Sequence, residues 1–119
     1  MSNDQHSRAR RIGTLIGAVA LLAATGAHAA DIAKGKEKAE QVCAACHGKD
    51  GNTPNAADVA MLGGQYADYL AHALMAYRDG LRDHPLMGPQ AKDLTDQQIA
   101  DAAAYFSRQP AKIGDLSHM

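Results

Sequence analysis

Apolar positions along the chain fall into two helical patterns, one thin stripe and one long uncharged run. The clearest pattern is Tyr66, Tyr69, Leu70, Ala73, Leu74 and Tyr77, spaced i, i+3, i+4, i+7, i+8 and i+11. That is one face of an α-helix, and Gly80 follows where a left-handed residue would stop it. A second helix is predicted from Thr95, where Thr-x-x-Gln through Gln98 makes a capping box. Ile99, Ala102, Ala103 and Phe106 line its inner face, and Pro110 ends it. Residues 31–42 form a Lys/Glu-rich helix with Ile32, Ala39 and Val42 as a thin apolar stripe. Gly35 interrupts it, and glycine weakens a helix interior by up to about 1 kcal/mol relative to alanine. It is either a tolerated defect or a point where another helix comes close. Residues 48–64 and 81–94 hold Gly and Pro without sustained periodicity and read as loops. No strand pattern and no internal repeat is present, so the pattern predicts an all-α domain with long loops.

The uncharged run lies at the N-terminus. Residues 1–11 are polar and carry Arg8, Arg10 and Arg11; residues 12–24 are apolar or small; Ala27-His28-Ala29 has the small-x-small form of a cleavage site. This predicts a cleaved secretory signal over residues 1–29, a mature domain over residues 30–119, and a periplasmic location. The rival reading is an uncleaved membrane anchor. A span normally takes about twenty apolar residues, and Thr25, Gly26 and His28 suit the bilayer core poorly.

Composition narrows the picture. The chain has 119 residues, one small domain at most. From residue 30 onward nine Lys and Arg stand against twelve Asp and Glu, a balance of −3, which excludes a basic nucleic-acid binder. Two cysteines are too few for a disulfide scaffold or a four-thiolate zinc site. Only thirteen Leu, Ile, Val and Phe occur in that region, about one residue in seven, below what a self-sufficient core uses. Domains of this size commonly need a staple, and a large planar cofactor between helices would supply the missing apolar mass.

The chemistry centres on Cys43-Ala44-Ala45-Cys46-His47. Two thiols three positions apart near a helix end can add to the two vinyl groups of one haem, and the histidine that follows can offer its imidazole to the iron. A dithiol oxidoreductase would place this motif beside a βαβ sheet, and no sheet pattern exists. Zinc would need a fuller ligand set. A disulfide here would close a two-residue gap and stabilise little. A sixth iron ligand would come from Met61, His72, Met75, His84 or Met87. Met75 and His72 lie off the apolar face of their helix, which points them to solvent. Met61 is close to the attachment turn, where core or haem-edge packing suits it. Met87 sits in the turn His84-Pro85-Leu86-Met87-Gly88-Pro89, whose prolines leave a thioether little freedom to lose. His84 is the rival donor and would give a bis-histidine iron.

Four blocks, CAACHGKDGN, LGGQYADYL, HPLMGP and LTDQQIADAAAYFSRQ, resemble in order and spacing the successive blocks of a bacterial class I cytochrome c. The similarity is to small single-haem periplasmic members and to each half of the two-haem ones, and it covers residues 31–109. It implies the class I cytochrome c fold, three main helices and long loops wrapped around one covalently bound haem c (iron). It implies Cys43 and Cys46 as thioether attachment points, His47 as proximal ligand and Met87 as distal ligand. It also implies that the first and last helices cross, with Gly35 meeting the Tyr105/Phe106 region. One departure concerns the proline whose carbonyl usually accepts the proximal imidazole N–H. Here the neighbourhood reads Val59-Ala60-Met61-Leu62, and the carbonyl of Ala60 is expected to take that role.

The function implied is a periplasmic one-electron carrier, not an enzyme, working between periplasmic or membrane-bound redox proteins. No nucleic acid and no small-molecule substrate is expected, and the chain would be a monomer or weak dimer. The alternatives are a dedicated cytochrome subunit of a periplasmic oxidoreductase complex, and a haem sensor or enzyme with an open sixth position. Arg82, Tyr69 and Gln65 are the candidates for the haem propionates.

Overall fold

A computed structural model describes residues 28–112. The predicted signal segment, but for His28 and Ala29, lies outside the described residues.

The first helix begins where Asp31 accepts the backbone N–H groups of Ala33 and Lys34 (2.9 and 3.1 Å), satisfying two of the donors that a helix start leaves free. Helix α1 runs Ile32–Lys38 and widens into a single π-helical turn, Ala39–Cys43, in which the Ala44 N–H reaches back to Ala39 O. Helix α2, Ala44–His47, follows without a break and stops at Gly48, whose φ is +83°. A pure α-helix would put His47 about 80° around the axis from Ala39; the residue absorbed by the π turn rotates it back by about 100°. Ala39 and His47 are accordingly both buried.

Helix α3 is Ala67–Arg78 with Gly80 at the left-handed position, φ +72°. Helix α5 is Asp96–Ser107, with both hydrogen bonds of the Thr95/Gln98 capping box in place. Between them a short helix α4, Met87–Ala91, occupies part of the stretch predicted to be loop. Pro89 obscured it in the sequence, but a proline in the first turn removes an N–H that has no helical partner there.

Helix α5 is the hub. Its buried residues are Ile99, Asp101, Ala102, Ala103, Tyr105 and Phe106, and both α1 and α3 pack on it. Ala39, Leu70, Ala103, Tyr105 and Phe106 form the central cluster, flanked by Ile32, Cys43, Leu62 and Ala71. Gly35 meets α5 as expected, though its nearest neighbours are the backbone of Asp101 and Tyr105 Cβ rather than Phe106. Arg78, at the end of α3, donates to Leu94 O (3.2 Å) and to Asp96 Oδ1 (2.6 Å), tying α3 to the start of α5. No helix among the described residues is long and apolar enough to cross a membrane.

The apolar face of α3 is unevenly covered. Leu70 is buried and Ala73, Leu74 and Tyr77 are half-buried, but Tyr66 is 79% and Tyr69 53% exposed. Periodicity identifies an apolar face without identifying what covers it, and the polypeptide itself covers only part of this one.

Candidate functional site

The attachment motif lies on a continuous helical rod. Cys43, in the π turn, is half-buried, and burial pushes its thiol up to about 11. Cys46 is exposed, as is Ala45 beside it. The last carbonyls of α2, which have no helical partner, are taken by Asn55: its backbone N–H donates to Cys46 O (2.9 Å) and its side-chain amide to Ala45 O (3.1 Å).

His47 is 8% exposed, with Nδ1 2.7 Å from Ala60 O. A carbonyl oxygen has no hydrogen to give, so Nδ1 is the donor. The expected stand-in for the missing proline carbonyl is thus present. Nε2 of the neutral ring then carries the lone pair, the form a metal-binding imidazole needs.

The loop that brings Ala60 to His47 hangs from α5. Gly64 N–H donates to Phe106 O (2.9 Å), Tyr105 Oη to Lys49 O (2.9 Å), and Asn52 Nδ2 to Pro110 O (2.9 Å). Leu62 N–H closes the loop on Gly51 O (2.7 Å). Gly51 itself, at φ +72°, sits so close to Gly63 N, Leu62 Cβ and Phe106 Cδ1 that a side chain there would strike all three. Asn52 is 5% exposed, and among the described residues its Oδ1 has no hydrogen-bond partner. Asn52, Asn55 and Asp101 carry no motif that marks them, and the sequence places Tyr105 only at the helix crossing, not on Lys49 O. The first two looked like loop polarity, and Tyr105 and Asp101 fell beside the apolar stripe rather than in it.

The sixth-ligand candidates separate by surroundings. His72 is exposed, and Met75 is half-buried rather than solvent-facing. Met61 is half-buried and follows Ala60 directly, on the side of His47. Met87 is half-buried at the start of α4, which packs on α3. His84 Nδ1 accepts the backbone N–H groups of Leu86 and Met87 (3.2 Å each). Its proton, in the neutral ring, is therefore on Nε2, the opposite tautomer to His47. Ligation through Nε2 would leave the ring no lone pair for those two amides unless it became an anion.

Of the three propionate candidates, Gln65 and Tyr69 lie at the start of α3 and Arg82 past its other end. Gln65 Oε1 accepts from Tyr66 N–H (2.8 Å) at the start of α3. Arg82 lies past the other end of α3, about 18 Å along a twelve-residue helix, with its guanidinium 4.7 Å above the Tyr77 ring.

A planar apolar group fits this architecture. One ring nitrogen is held ready by its partner, two thiols stand one helical turn apart, and Tyr66, Tyr69, Leu81 and Leu86 are large apolar side chains left mostly exposed. The protein family described as "Cytochrome C oxidase, cbb3-type, subunit III" matches residues 30–106. The chain is a class I c-type cytochrome. It is 43% identical over 102 residues to cytochrome c4 of Pseudomonas aeruginosa, covering 84% of this chain and 50% of that protein. It is 46% identical over 89 residues to cytochrome c-554(548) of Halomonas halodenitrificans, covering 68% of this chain and 99% of the relative. Its fold matches the solved cytochrome c4 of Acidithiobacillus ferrooxidans with a TM-score of 0.56 at 36% identity, over 66% of this chain and 52% of that one. The cytochrome thus spans about half the length of its c4 relatives and nearly all of c-554(548). Its cofactor is a covalently bound haem c, carried by the Cys43/Cys46 pair.

Proposed function

We propose that this cytochrome is a periplasmic one-electron carrier whose iron is ligated by His47 and Met87. When bound, haem c supplies a reversible Fe(II)/Fe(III) couple. The observation that carries the reading is the opposite hydrogen-bonding of Nδ1 in His47 and His84. His47 donates from Nδ1 to Ala60 O (2.7 Å) and keeps Nε2 free. His84 spends its lone pair on the backbone of the Met87 turn. That counts against the main rival donor and supports the Met87 thioether, which favours the reduced iron.

The remaining residues serve the same end. Asn55 holds the carbonyls of Ala45 and Cys46, which keeps the attachment helix from fraying where it carries its load. The hydrogen bonds from loop to α5 keep Ala60 against His47, so that the imidazole stays in place when the iron's charge changes by one. An iron held by both His47 and Met87 would offer oxygen and peroxide no landing site. Ala44 and Ala45, small and with Ala45 exposed, leave an edge for a redox partner to approach. The −3 balance of the mature region gives weak steering, so encounters should be transient and small, below about 1,200 Å².

The test is stopped-flow electron exchange with a soluble redox protein, together with carbon monoxide binding to the reduced form. A carrier exchanges electrons rapidly and binds carbon monoxide slowly or weakly. Ready carbon monoxide binding by the wild type would overturn the proposed closed sixth position.

A further inference from the structure

The turn that carries Met87 has an unusual economy of donors. Pro85 and Pro89 have no backbone N–H, so Leu86, Met87 and Gly88 carry the only three between them. His84 accepts all three: Leu86 and Met87 N–H at Nδ1 (3.2 Å each) and Gly88 N–H at its own carbonyl (3.1 Å). Among the described residues no other side chain hydrogen-bonds to this backbone. His84 is braced in turn. Its ring stands edge-on to Tyr77 of α3, centroids 6.0 Å apart at 79°, and the Arg82 guanidinium covers the Tyr77 ring.

We propose that His84 is the positioning residue for Met87, fastening the ligand-bearing turn to α3 and so setting how firmly the sixth position is closed. The proposal rests on Met87 being the distal ligand. Removing the imidazole leaves the amides of Leu86 and Met87 without their acceptor and frees the turn from Tyr77. An open turn withdraws the thioether, and an exogenous ligand binds in proportion to the open fraction. Asparagine separates the acceptor from the ring. Its Oδ1 is bonded to Cγ as Nδ1 is in histidine and can accept two N–H groups.

The experiment measures, on holoprotein, the weak far-red band of Met–Fe(III), the equilibrium affinity for imidazole and the melting temperature. The proteins are wild type, His84→Ala, His84→Asn and Met87→Ala. In His84→Ala the far-red band should weaken and imidazole should bind about tenfold more tightly, which is about 1.4 kcal/mol. His84→Asn should stay within about threefold of wild type. If His84→Ala only melts earlier, with band and imidazole affinity unchanged, the residue is merely structural and the proposal fails. If alanine and asparagine lose the band alike, the acceptor is not what matters and it also fails. If His84→Ala does not accumulate, His84→Gln replaces it, since its amide oxygen lies one methylene farther out and should give the same loss. Met87→Ala isolates the underlying reading: a band that survives there removes Met87 as ligand whatever the His84 variants do.

Discussion

Replacing Gly35 with alanine should destabilise the cytochrome although it improves the local helix. An added Cβ would overlap the Asp101 carbonyl oxygen, lie 2.6 Å from the Asp101 carbonyl carbon and sit 3.0 Å from Tyr105 Cβ. Two of these are backbone atoms of α5 and cannot rotate away, so the helices must part. Gly→Ala gains up to about 1 kcal/mol of helix propensity, and overpacking a tight contact costs about 1–3 kcal/mol. The contact here is with a rigid carbonyl, which puts the cost at the upper end and the net loss near about 2 kcal/mol. For a domain of this size that is a fall in melting temperature of about 10 °C. Denaturant and thermal unfolding of the holoprotein, followed by far-ultraviolet circular dichroism, would measure it. Ala33→Gly, on the exposed side of the same helix, calibrates the propensity term alone. Equal or greater stability in Gly35→Ala would refute the close crossing of α1 and α5.

Other expectations follow from the same geometry. Cys46→Ser should yield little holoprotein, scored by haem-stained gels and mass spectrometry, because one of two thioether bonds is lost. Asp101, 2% exposed, accepts Asp31 N–H (2.7 Å) and Gln97 Nε2–H (2.8 Å). Asp101→Ala should cost about 1–3 kcal/mol by stranding the Asp31 amide, and a loss under about 0.5 kcal/mol would show that water replaces the carboxylate freely. Asp50 has its carboxyl held below the ordinary range, chiefly by the Asn52 backbone N–H (2.9 Å). A depressed value means that its contribution is present above the unfolded-state pKa and is lost as pH falls through the folded one. The stability difference between wild type and Asp50→Ala should therefore shrink as pH drops below about 4.

Local rules made α5 and α3 legible: a capping box, a stop glycine and a sustained period of 3.6 act within a few residues. The Cys43–His47 motif was equally open, since its chemistry is carried by residue type and spacing. Three features were hidden for physical reasons. The π turn at Ala39–Cys43 has no residue signature, because it is imposed by keeping Ala39 and His47 on one side of the rod. Helix α4 begins between two prolines, and its first amides are satisfied by His84 rather than by a familiar capping residue. The split role of the histidines depends on which acceptor or donor faces each Nδ1, a tertiary fact for His47 and Ala60, thirteen residues apart.

The most direct test is the optical spectrum of the protein matured where haem is attached, recorded oxidised and then reduced. A c-type spectrum with the weak far-red band of Met–Fe(III), lost in Met87→Ala, is the predicted result. A c-type spectrum without that band in the wild type would contradict His47/Met87 ligation and the closed-site electron carrier built on it.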